Sequence, residues 1–293
     1  MPQLSDDWTL EFAPEMGGSV TRCQFQGVDI LRPAVSLDDP RMCSAFPMVP
    51  FIGRITNGKF VFEGHAYTLS PNMPPEPHAI HGRGWQSPWE IQQKGHDVIL
   101  TQTHVPSENT GDTGNWPWAY HARQSFSAQG KVLHLEMTLT NRANTLMPAG
   151  LGWHPYFPKA GASLKADVSA IWQSGGGGII GDRPRQLSPA NDLRRERPIE
   201  MLDLDNCYTA RNASAVIEWP ERNLGIRLLS VAEFEYLTVY TPPGEDYFCV
   251  EPVSHIPDAI NSKLKREDTG FQILRPGETL EGHLAISVAL GKA

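Results

Sequence analysis

The density of glycine and proline is the feature that most constrains this chain. Together they supply 51 of the 293 residues, with 26 glycines and 25 prolines. Glycine weakens helices, and proline breaks them because it lacks a backbone N–H and clashes with the preceding turn. Such frequent interruption is normal where many short strands are joined by turns. The sequence therefore predicts a protein built mainly from strands.

The clearest strand signal lies between Val132 and Thr140. Apolar residues occupy every second position there, and polar residues occupy the positions between them. A period of two is typical of a strand that buries one face. The Gln129-Gly130 turn just before it predicts a hairpin, with the partner strand at 119–127.

Shorter strand signals run along the rest of the chain. They lie at 60–62, 65–69, 215–219, 224–229, 235–241, 247–251 and 283–290. Residues 183–200 are charged and interrupted by proline, so they predict at most a short helix within a long loop. Many antiparallel strands with long loops form sandwiches or barrels. We expect an all-β fold in one domain that spans residues 1–293.

Charge and hydropathy narrow the class of partner. The net charge of −8 argues against nucleic-acid binding, which requires a basic face. No run approaches 18 apolar residues, and residues 1–8 lack the pattern of a signal peptide. The four cysteines have no C-x-x-C spacing, which favours free thiols in a reducing compartment. We therefore expect a cytoplasmic protein that binds neither nucleic acid nor a membrane.

Two segments place a proton-transferring side chain in apolar surroundings. His154 lies in G-W-H-P-Y-F-P, and Glu251 ends an apolar strand just before Pro252. Aromatic faces stack on sugar C–H groups, and imidazole transfers protons at neutral pH. A half-buried carboxylate has a raised pKa that suits a base. The alternatives are a buried histidine bonded to a carbonyl and a charged strand end.

Three further residues are candidates for ligand binding. Arg54 stands among apolar residues, where it forms either a structural ion pair or a bidentate clamp on hydroxyl groups. Asp205 either accepts hydroxyl protons or forms a turn. His81 suits a hydrogen-bonding role in its glycine-flanked loop. An alternative is a metal site formed by His78, His81, His154 and Glu251. Residues three apart meet on one face only in a helix, and the prolines just before His78 argue against a helix here.

Five segments, taken in order, resemble the aldose 1-epimerase family. They are G-R-I-T-N-G-K-F-V-F-E-G-H-A-Y-T-L-S-P-N from Gly53, A-I-H-G from Ala79, G-W-H-P-Y-F from Gly152, L-D-N-C-Y from Leu204, and V-E-P with P-D-A-I-N between Val250 and Asn261. The resemblance implies a galactose-mutarotase-like β-supersandwich. It also implies that Glu251 is the general base, that His154 is the general acid, and that Arg54, His81 and Asp205 bind a sugar.

The chain departs from the family pattern in two places. Gly53 stands where galactose mutarotases usually have asparagine, and Arg83 separates Gly82 from Gly84 where two glycines usually follow the histidine. Both departures bear on the preference for galactose. The branch acting on hexose 6-phosphates usually carries an Arg-Gly-Gly-(Ile/Val)-Pro signature. Residues 48–52 instead read M-V-P-F-I, which argues against a phosphosugar.

The chemistry implied by the resemblance is anomerisation of a free aldose. Ring opening needs loss of the C1 hydroxyl proton and gain of a proton at the ring oxygen, which a base and an acid accomplish together. No metal or other cofactor is expected, and the partner is a small sugar, bound by a monomer or homodimer. The rival hypotheses are a non-catalytic carbohydrate-binding module, a metal-dependent cupin-like enzyme, and an epimerase of a modified or phosphorylated sugar.

The protonation states of the pair can also be anticipated. Free glutamate has a pKa of about 4.3, and free histidine has a pKa of about 6.5. We expect burial to raise the pKa of Glu251, and the neighbouring carboxylate to keep His154 protonated to a higher pH than a lone buried histidine. On that basis Glu251→Gln would remove the acidic limb of a bell-shaped pH–rate curve, and His154→Asn the alkaline limb.

Overall fold

The strands of this protein are short and numerous, as the glycine and proline content predicts. The computed structural model describes residues 4–106, 115–172, 183–232 and 234–290. In chain order the strands are β1 (Trp8–Ala13), β2 (Ser19–Phe25), β3 (Val28–Asp29), β4 (Ala45–Met48), β5 (Arg54–Ile55), β6 (Lys59–Phe62), β7 (His65–Thr68), β8 (Ala79–Ile80), β9 (Glu90–Lys94), β10 (Asp97–His104), β11 (Tyr120–Gln129), β12 (Val132–Asn141), β13 (Met147–Ala149), β14 (Gly152–Pro158), β15 (Ser163–Ala166), β16 (Ala170–Trp172), β17 (Arg197–Pro198), β18 (Asp205–Thr209), β19 (Ala215–Trp219), β20 (Leu224–Ala232), β21 (Tyr236–Tyr240), β22 (Tyr247–Val253), β23 (Gln272–Leu274) and β24 (Thr279–Leu290).

Helical structure is limited to single turns in the described residues. The one α-helix, α1, covers Arg266–Thr269. The 3-10 helices cover Pro40–Met42, Thr56–Gly58, Gly84–Gln86, Ile199–Met201, Arg211–Ala213, Pro220–Arg222 and Ala259–Asn261. The all-β prediction is therefore confirmed.

Two nine-stranded antiparallel sheets make up most of the fold. The first sheet has the order β1-β2-β4-β14-β22-β21-β18-β16, with β3 added beside β2. The second sheet has the order β17-β15-β19-β20-β24-β12-β11-β10-β9. Three two-stranded ladders, β13-β23, β5-β8 and β6-β7, lie outside the two sheets.

Both predicted hairpins form. In β11 and β12, Gln129 pairs with Val132 across the turn. In β6 and β7, Phe62 pairs with His65. The stretch 183–200 is mostly irregular, as its prolines predict. It contains an isolated bridge from Arg185 to Ile171, the strand β17 and the start of a 3-10 turn.

Alternation along the central strands divides their side chains between two hydrophobic clusters. Trp153 of β14 and Val250 of β22 join the large core, which also contains Leu135 of β12 from the second sheet. On the opposite face of the first sheet, Tyr156 and Cys249 belong to a smaller cluster. One face of the first sheet therefore supports the core, and the other is free to build a site.

Two simpler expectations can be compared with the structure. All four cysteines are buried free thiols, as their spacing predicts. Among the residues that the structure describes, no helix is long and apolar enough to cross a membrane.

Candidate active site

The candidate site is a row of residues that runs across five neighbouring strands of the first sheet. Cys207 on β18 pairs with Thr238 on β21, and Thr238 pairs with Glu251 on β22. His154 on β14 continues the row and pairs with Phe46 on β4. Because side chains on one face of a sheet are neighbours across strands, these residues form a continuous floor.

The register of β14 and β22 sets the two candidate catalytic residues opposite each other. Gly152 pairs with Val253, and Tyr156 pairs with Cys249. His154 lies midway between the first members of these pairs, and Glu251 lies midway between the second. The two side chains project from facing positions, with 3.4 Å between His154 Nε2 and Glu251 Oε1.

A cavity of about 280 Å³ opens above this row. That volume lies close to the lower end of small-molecule pockets, roughly 300–1,000 Å³, and suits a ligand of monosaccharide size. Its lining combines aromatic rings with a few polar groups, as carbohydrate sites require. The aromatic residues of the lining are Phe46, Trp85, Tyr156, Trp172, Tyr240 and Tyr247, and the charged or imidazole-bearing ones are Arg41, Arg54, Glu76, His81, His154, Asp205 and Glu251.

Aromatic rings hold the His154 imidazole in place. It stacks on Phe46 at 4.5 Å and on Tyr156 at 4.8 Å between ring centroids. The residue is only 8% exposed, and its Nδ1 has no hydrogen-bond partner among the described residues. The buried His255 differs, since its Nδ1 lies 2.7 Å from the Ile256 carbonyl oxygen. His154 is therefore oriented mainly by stacking.

Burial shifts the pKa values of the pair in opposite directions. Desolvation raises the pKa of Glu251 well above its usual range, and the nearby Asp205 carboxylate raises it further. Desolvation lowers the pKa of His154 to about 3, which is no higher than the value of about 4 for His255. The expectation for Glu251 agrees with this direction, and the one for His154 is wrong. Because the neutral form of each group is favoured in a dry site, the pair holds one proton, on Glu251.

Arg54 lines the cavity and also forms an ion pair. Its Nε and Nη2 donate to the two carboxylate oxygens of Glu76 at 2.7 and 2.8 Å. The Arg54 side chain is 17% exposed and that of Glu76 is 29% exposed. The alternatives drawn from the sequence were an ion pair or a ligand clamp, and this geometry permits both, because only one edge of the guanidinium is used.

His81 is tied to the residue before Arg54 by two hydrogen bonds. The His81 N–H donates to the Gly53 carbonyl at 2.8 Å, and the Gly53 N–H donates to His81 Nδ1 at 3.1 Å. Nδ1 therefore accepts, which leaves the proton of the neutral ring on Nε2. Burial lowers the pKa of His81 well below its usual value, so the ring is neutral.

Gly53 itself explains one departure from the family pattern. Its φ of +62° is unfavourable for most side chains, and a Cβ there would lie 2.6 Å from Pro257 Cβ. An asparagine at this position would require the Pro257 segment to move. The glycine is therefore fitted to the close approach of the loop that follows Glu251.

The loop that follows Glu251 is hydrogen-bonded to the segment that contains Arg54. Asp258 N donates to the Arg54 carbonyl at 2.9 Å. The Asp258 carboxylate accepts bonds from the Thr56 backbone N–H and hydroxyl, and from Asn261 Nδ2. Asp258 and Asn261 thus hold the loops together and lie outside the cavity lining.

Asp205 stands at the exposed edge of the cavity. It begins β18, pairs with Tyr240 of β21, and has an exposed side chain. All five predicted site residues, Arg54, His81, His154, Asp205 and Glu251, line the one cavity. Their roles in binding and catalysis stay predictions.

One group of side chains in the site contains residue types that commonly bind metal ions. Ligand atoms of His154, Cys249 and Glu251 all lie within 4.8 Å of one another. However, burial raises the pKa of the Cys249 thiol well above its usual range, which disfavours the thiolate that a metal needs. His78 is not part of this group, and its Nδ1 accepts the Asn57 N–H at 3.0 Å. Among the described residues, His78 and His81 are therefore not brought together with His154 and Glu251 as one set of donors.

Several lining residues were not found from the sequence. Phe46 lies in a short strand that contains Pro47, and Glu76 lies between prolines in an irregular loop, so neither carries a periodic signal. Thr238 and Tyr240 could have been identified, because they alternate on a predicted strand that pairs with the one carrying Glu251.

Comparison with known proteins places this arrangement in context. Residues 10–287 match the family model described as aldose 1-epimerase. The uncharacterized Escherichia coli K12 proteins YphB and YihR are 27% and 24% identical to this chain, over 94% and 85% of its length and over 93% and 82% of theirs.

Solved structures share the fold at lower sequence identity. A galactose mutarotase-like protein from Clostridium acetobutylicum has a TM-score of 0.83 at 18% identity, covering 97% of this chain and 93% of its own. A GalM/aldose epimerase homologue from C. elegans has a TM-score of 0.81 at 16% identity, covering 98% and 97%. These similarities extend over nearly the whole of each chain and show the same fold.

Proposed function

This chain belongs to the aldose 1-epimerase family, and from that premise we propose that it is a mutarotase that interconverts the α and β anomers of a free aldose. The observation that carries the proposal is the facing pair His154 and Glu251, 3.4 Å apart at the floor of a monosaccharide-sized cavity. Two groups that hold one proton between them are what ring opening requires.

The proposed reaction begins with the cyclic sugar on the floor of the cavity. The C1 hydroxyl proton passes to the Glu251 carboxylate while the protonated His154 gives its proton to the ring oxygen. The C1–O5 bond breaks, and C1 becomes an aldehyde. After rotation about C1–C2, the O5 hydroxyl attacks the other face of C1, His154 takes back the O5 proton, and Glu251 returns its proton to O1. Protons and electrons balance over the cycle.

In the empty site the proton lies on Glu251, so sugar binding has to transfer it to His154. The ring oxygen only accepts hydrogen bonds, so the group facing it has to present an N–H, whereas the C1 hydroxyl donates to a carboxylate. These bonds favour the carboxylate of Glu251 and the imidazolium of His154. With 3.4 Å between the two atoms, a proton can move from one to the other within the site.

The remaining predicted residues have proposed roles in binding. The free edge of Arg54 and the carboxylate of Asp205 present donors and acceptors to sugar hydroxyls, and His81 offers its Nε2 proton. The rings of Phe46 and Tyr156 hold the imidazole level beside the sugar face. No metal or redox step is needed in this scheme.

Magnetisation exchange measured by NMR tests the proposal across a panel of aldoses. The purified protein should accelerate exchange between the two anomeric proton signals of at least one sugar, and His154→Asn should abolish the acceleration. A protein that binds a sugar without accelerating exchange would be a carbohydrate-binding module instead. Absence of both binding and exchange over the whole panel would refute the assignment.

A further inference from the structure

The two arginines of the cavity lining are both neutralised by carboxylates. Arg41 donates to Asp39 through Nε and Nη2, with a shortest distance of 2.6 Å. Arg54 donates to Glu76 through Nε and Nη2. The Arg41 side chain is 46% exposed, whereas the Arg54 side chain is only 17% exposed. The charge that a ligand meets deep in the cavity therefore depends on Glu76.

The geometry of the Arg54–Glu76 pair leaves one edge of the guanidinium for a ligand. A bidentate bond through Nε and Nη2 uses two parallel N–H groups and fixes the plane of the guanidinium. Nη1 is not used in that bond, and Asp205 lines the same cavity as Arg54. Arg54 therefore keeps N–H groups that are not committed to Glu76, on a side chain that lines the cavity.

We propose that Glu76 is a positioning and specificity-determining residue: it orients Arg54 for hydroxyl groups and cancels its charge, so that the site accepts neutral aldoses in preference to anionic ones. This inference rests on the proposed mutarotase function and adds the charge class of its substrate. A neutral hydroxyl needs only an oriented donor, whereas a phosphate or carboxylate needs a cation that is free to pair with it.

The wider charge distribution agrees with this selectivity. Besides the two paired arginines, the described lining contains the carboxylate of Asp205, the protonated carboxyl of Glu251 and the neutral imidazoles of His81 and His154. Thus the described lining offers no unpaired cation, and its exposed Asp205 would repel an anion.

One buried cation, Arg32, lies behind the cavity lining. Arg32 is held between the rings of Tyr156 and Tyr247, 4.7 Å from each centroid, and it donates to the Arg41 and Cys43 carbonyls. It does not line the cavity. The two rings separate its guanidinium from a ligand, so it cannot form the direct pair that a phosphate requires.

The experiment measures both binding and turnover for glucose, glucuronate and glucose 6-phosphate. Tryptophan fluorescence reports binding, because Trp85 and Trp172 line the cavity, and NMR exchange reports turnover. The parental protein should prefer glucose to both anions. In Glu76→Gln the preference should shift toward the anions by roughly tenfold or more, because Arg54 then has a free charge, and KM for glucose should rise more than kcat falls.

Two variants separate charge from mere structure. Glu76→Asp keeps the negative charge and should restore the parental preference. Glu281→Gln removes one charge from an exposed position on β24 of the second sheet and should leave the preference unchanged. An unchanged preference in Glu76→Gln, or equal effects of Gln and Asp, would overturn the inference.

The outcomes also distinguish this inference from the proposed function. If the parental protein binds glucose selectively but anomerises no sugar, the mutarotase function fails while the fluorescence comparison of Glu76 variants still decides the inference. If the parental protein anomerises glucose and anionic sugars equally well, the function stands and the role of Glu76 is refuted, whether or not Glu76→Gln folds.

Discussion

His154 and Glu251 occupy facing positions on adjacent strands, and the ladder between β14 and β22 fixes their separation. Neither side chain depends on a loop for its position. Groups on regular elements are held more precisely than groups on loops, which favours a pair that has to exchange protons with one small ligand. By contrast, the hydroxyl-binding candidates lie at the two-stranded ladder β5-β8: Arg54 begins β5, and His81 directly follows β8.

We expect Arg54→Ala to weaken sugar use without unfolding the protein. A charge-assisted hydrogen bond contributes about 1.5–3 kcal/mol, so kcat/KM should fall roughly 10- to 100-fold. Arg123→Ala is a matched control, since it breaks a comparable pair with Glu136 on the second sheet. Circular dichroism of Arg54→Ala should resemble that of the parent; an unfolded spectrum would indicate a structural role instead.

We expect Gly53→Asn to destabilise the fold, even though asparagine is usual here among galactose mutarotases. The added Cβ would lie 2.6 Å from Pro257 Cβ, and relieving such a contact typically costs about 1–3 kcal/mol. Gly64→Asn has a similar φ of +78° but no atom within 4 Å of its Cβ, and should be much milder. Urea denaturation compares them; equal midpoints for the two variants would contradict this packing argument.

The sequence predicts those site residues that lie on recognisable strands or in family motifs. The apolar stretch that ends at Glu251 predicts a strand, and the structure confirms that strand. Because side chains two apart in a strand share a face, Glu251 lies on the same side as Cys249. Register, however, depends on contacts between distant segments. It could not be anticipated that β14 pairs with β22 on one side and with β4 on the other.

Two features were beyond sequence reasoning for specific physical reasons. Glu76 reaches Arg54 only because an irregular proline-containing loop folds back over β5, and such loops carry no periodicity. The low pKa of His154 arises from desolvation by residues of several strands, among them Phe46 and Tyr156. Burial of this kind depends on the assembled sheet, so it cannot be predicted from the order of residues along the chain.

We expect the enzyme to work without a metal ion. The scheme passes protons directly between sugar, Glu251 and His154, and the third donor near them, Cys249, is a buried thiol whose raised pKa disfavours metal binding. Dialysis against a strong chelator should leave the anomerisation rate unchanged. A large loss that one divalent ion restores would refute this, and Cys249→Ser should then weaken the binding of that ion.

The pH dependence of kcat/KM should reflect the shifted pKa values of the free site. The pair is competent when it holds one proton. As pH rises through the raised pKa of Glu251, that proton is lost, which sets the alkaline limb. As pH falls, His154 gains a second proton only near its lowered pKa of about 3, which sets the acidic limb. The rate should therefore stay nearly constant through the ordinary titration range of histidine, around pH 6.5.

Variants of His154 and Glu251 show which residue causes each limb of the pH–rate curve. His154→Asn should remove the acidic limb and Glu251→Gln the alkaline limb, which is the reverse of the order that free side chains predict. Each change should lower the rate by about 10²–10⁴-fold, and the double variant should be little slower than either, because acid and base act together. Both replacements are close in shape, so fluorescence should report normal sugar binding. A limb near pH 6.5 that disappears in His154→Asn would show that His154 titrates as an ordinary histidine. If either single variant anomerises sugars at the parental rate, the replaced residue has no part in the mechanism.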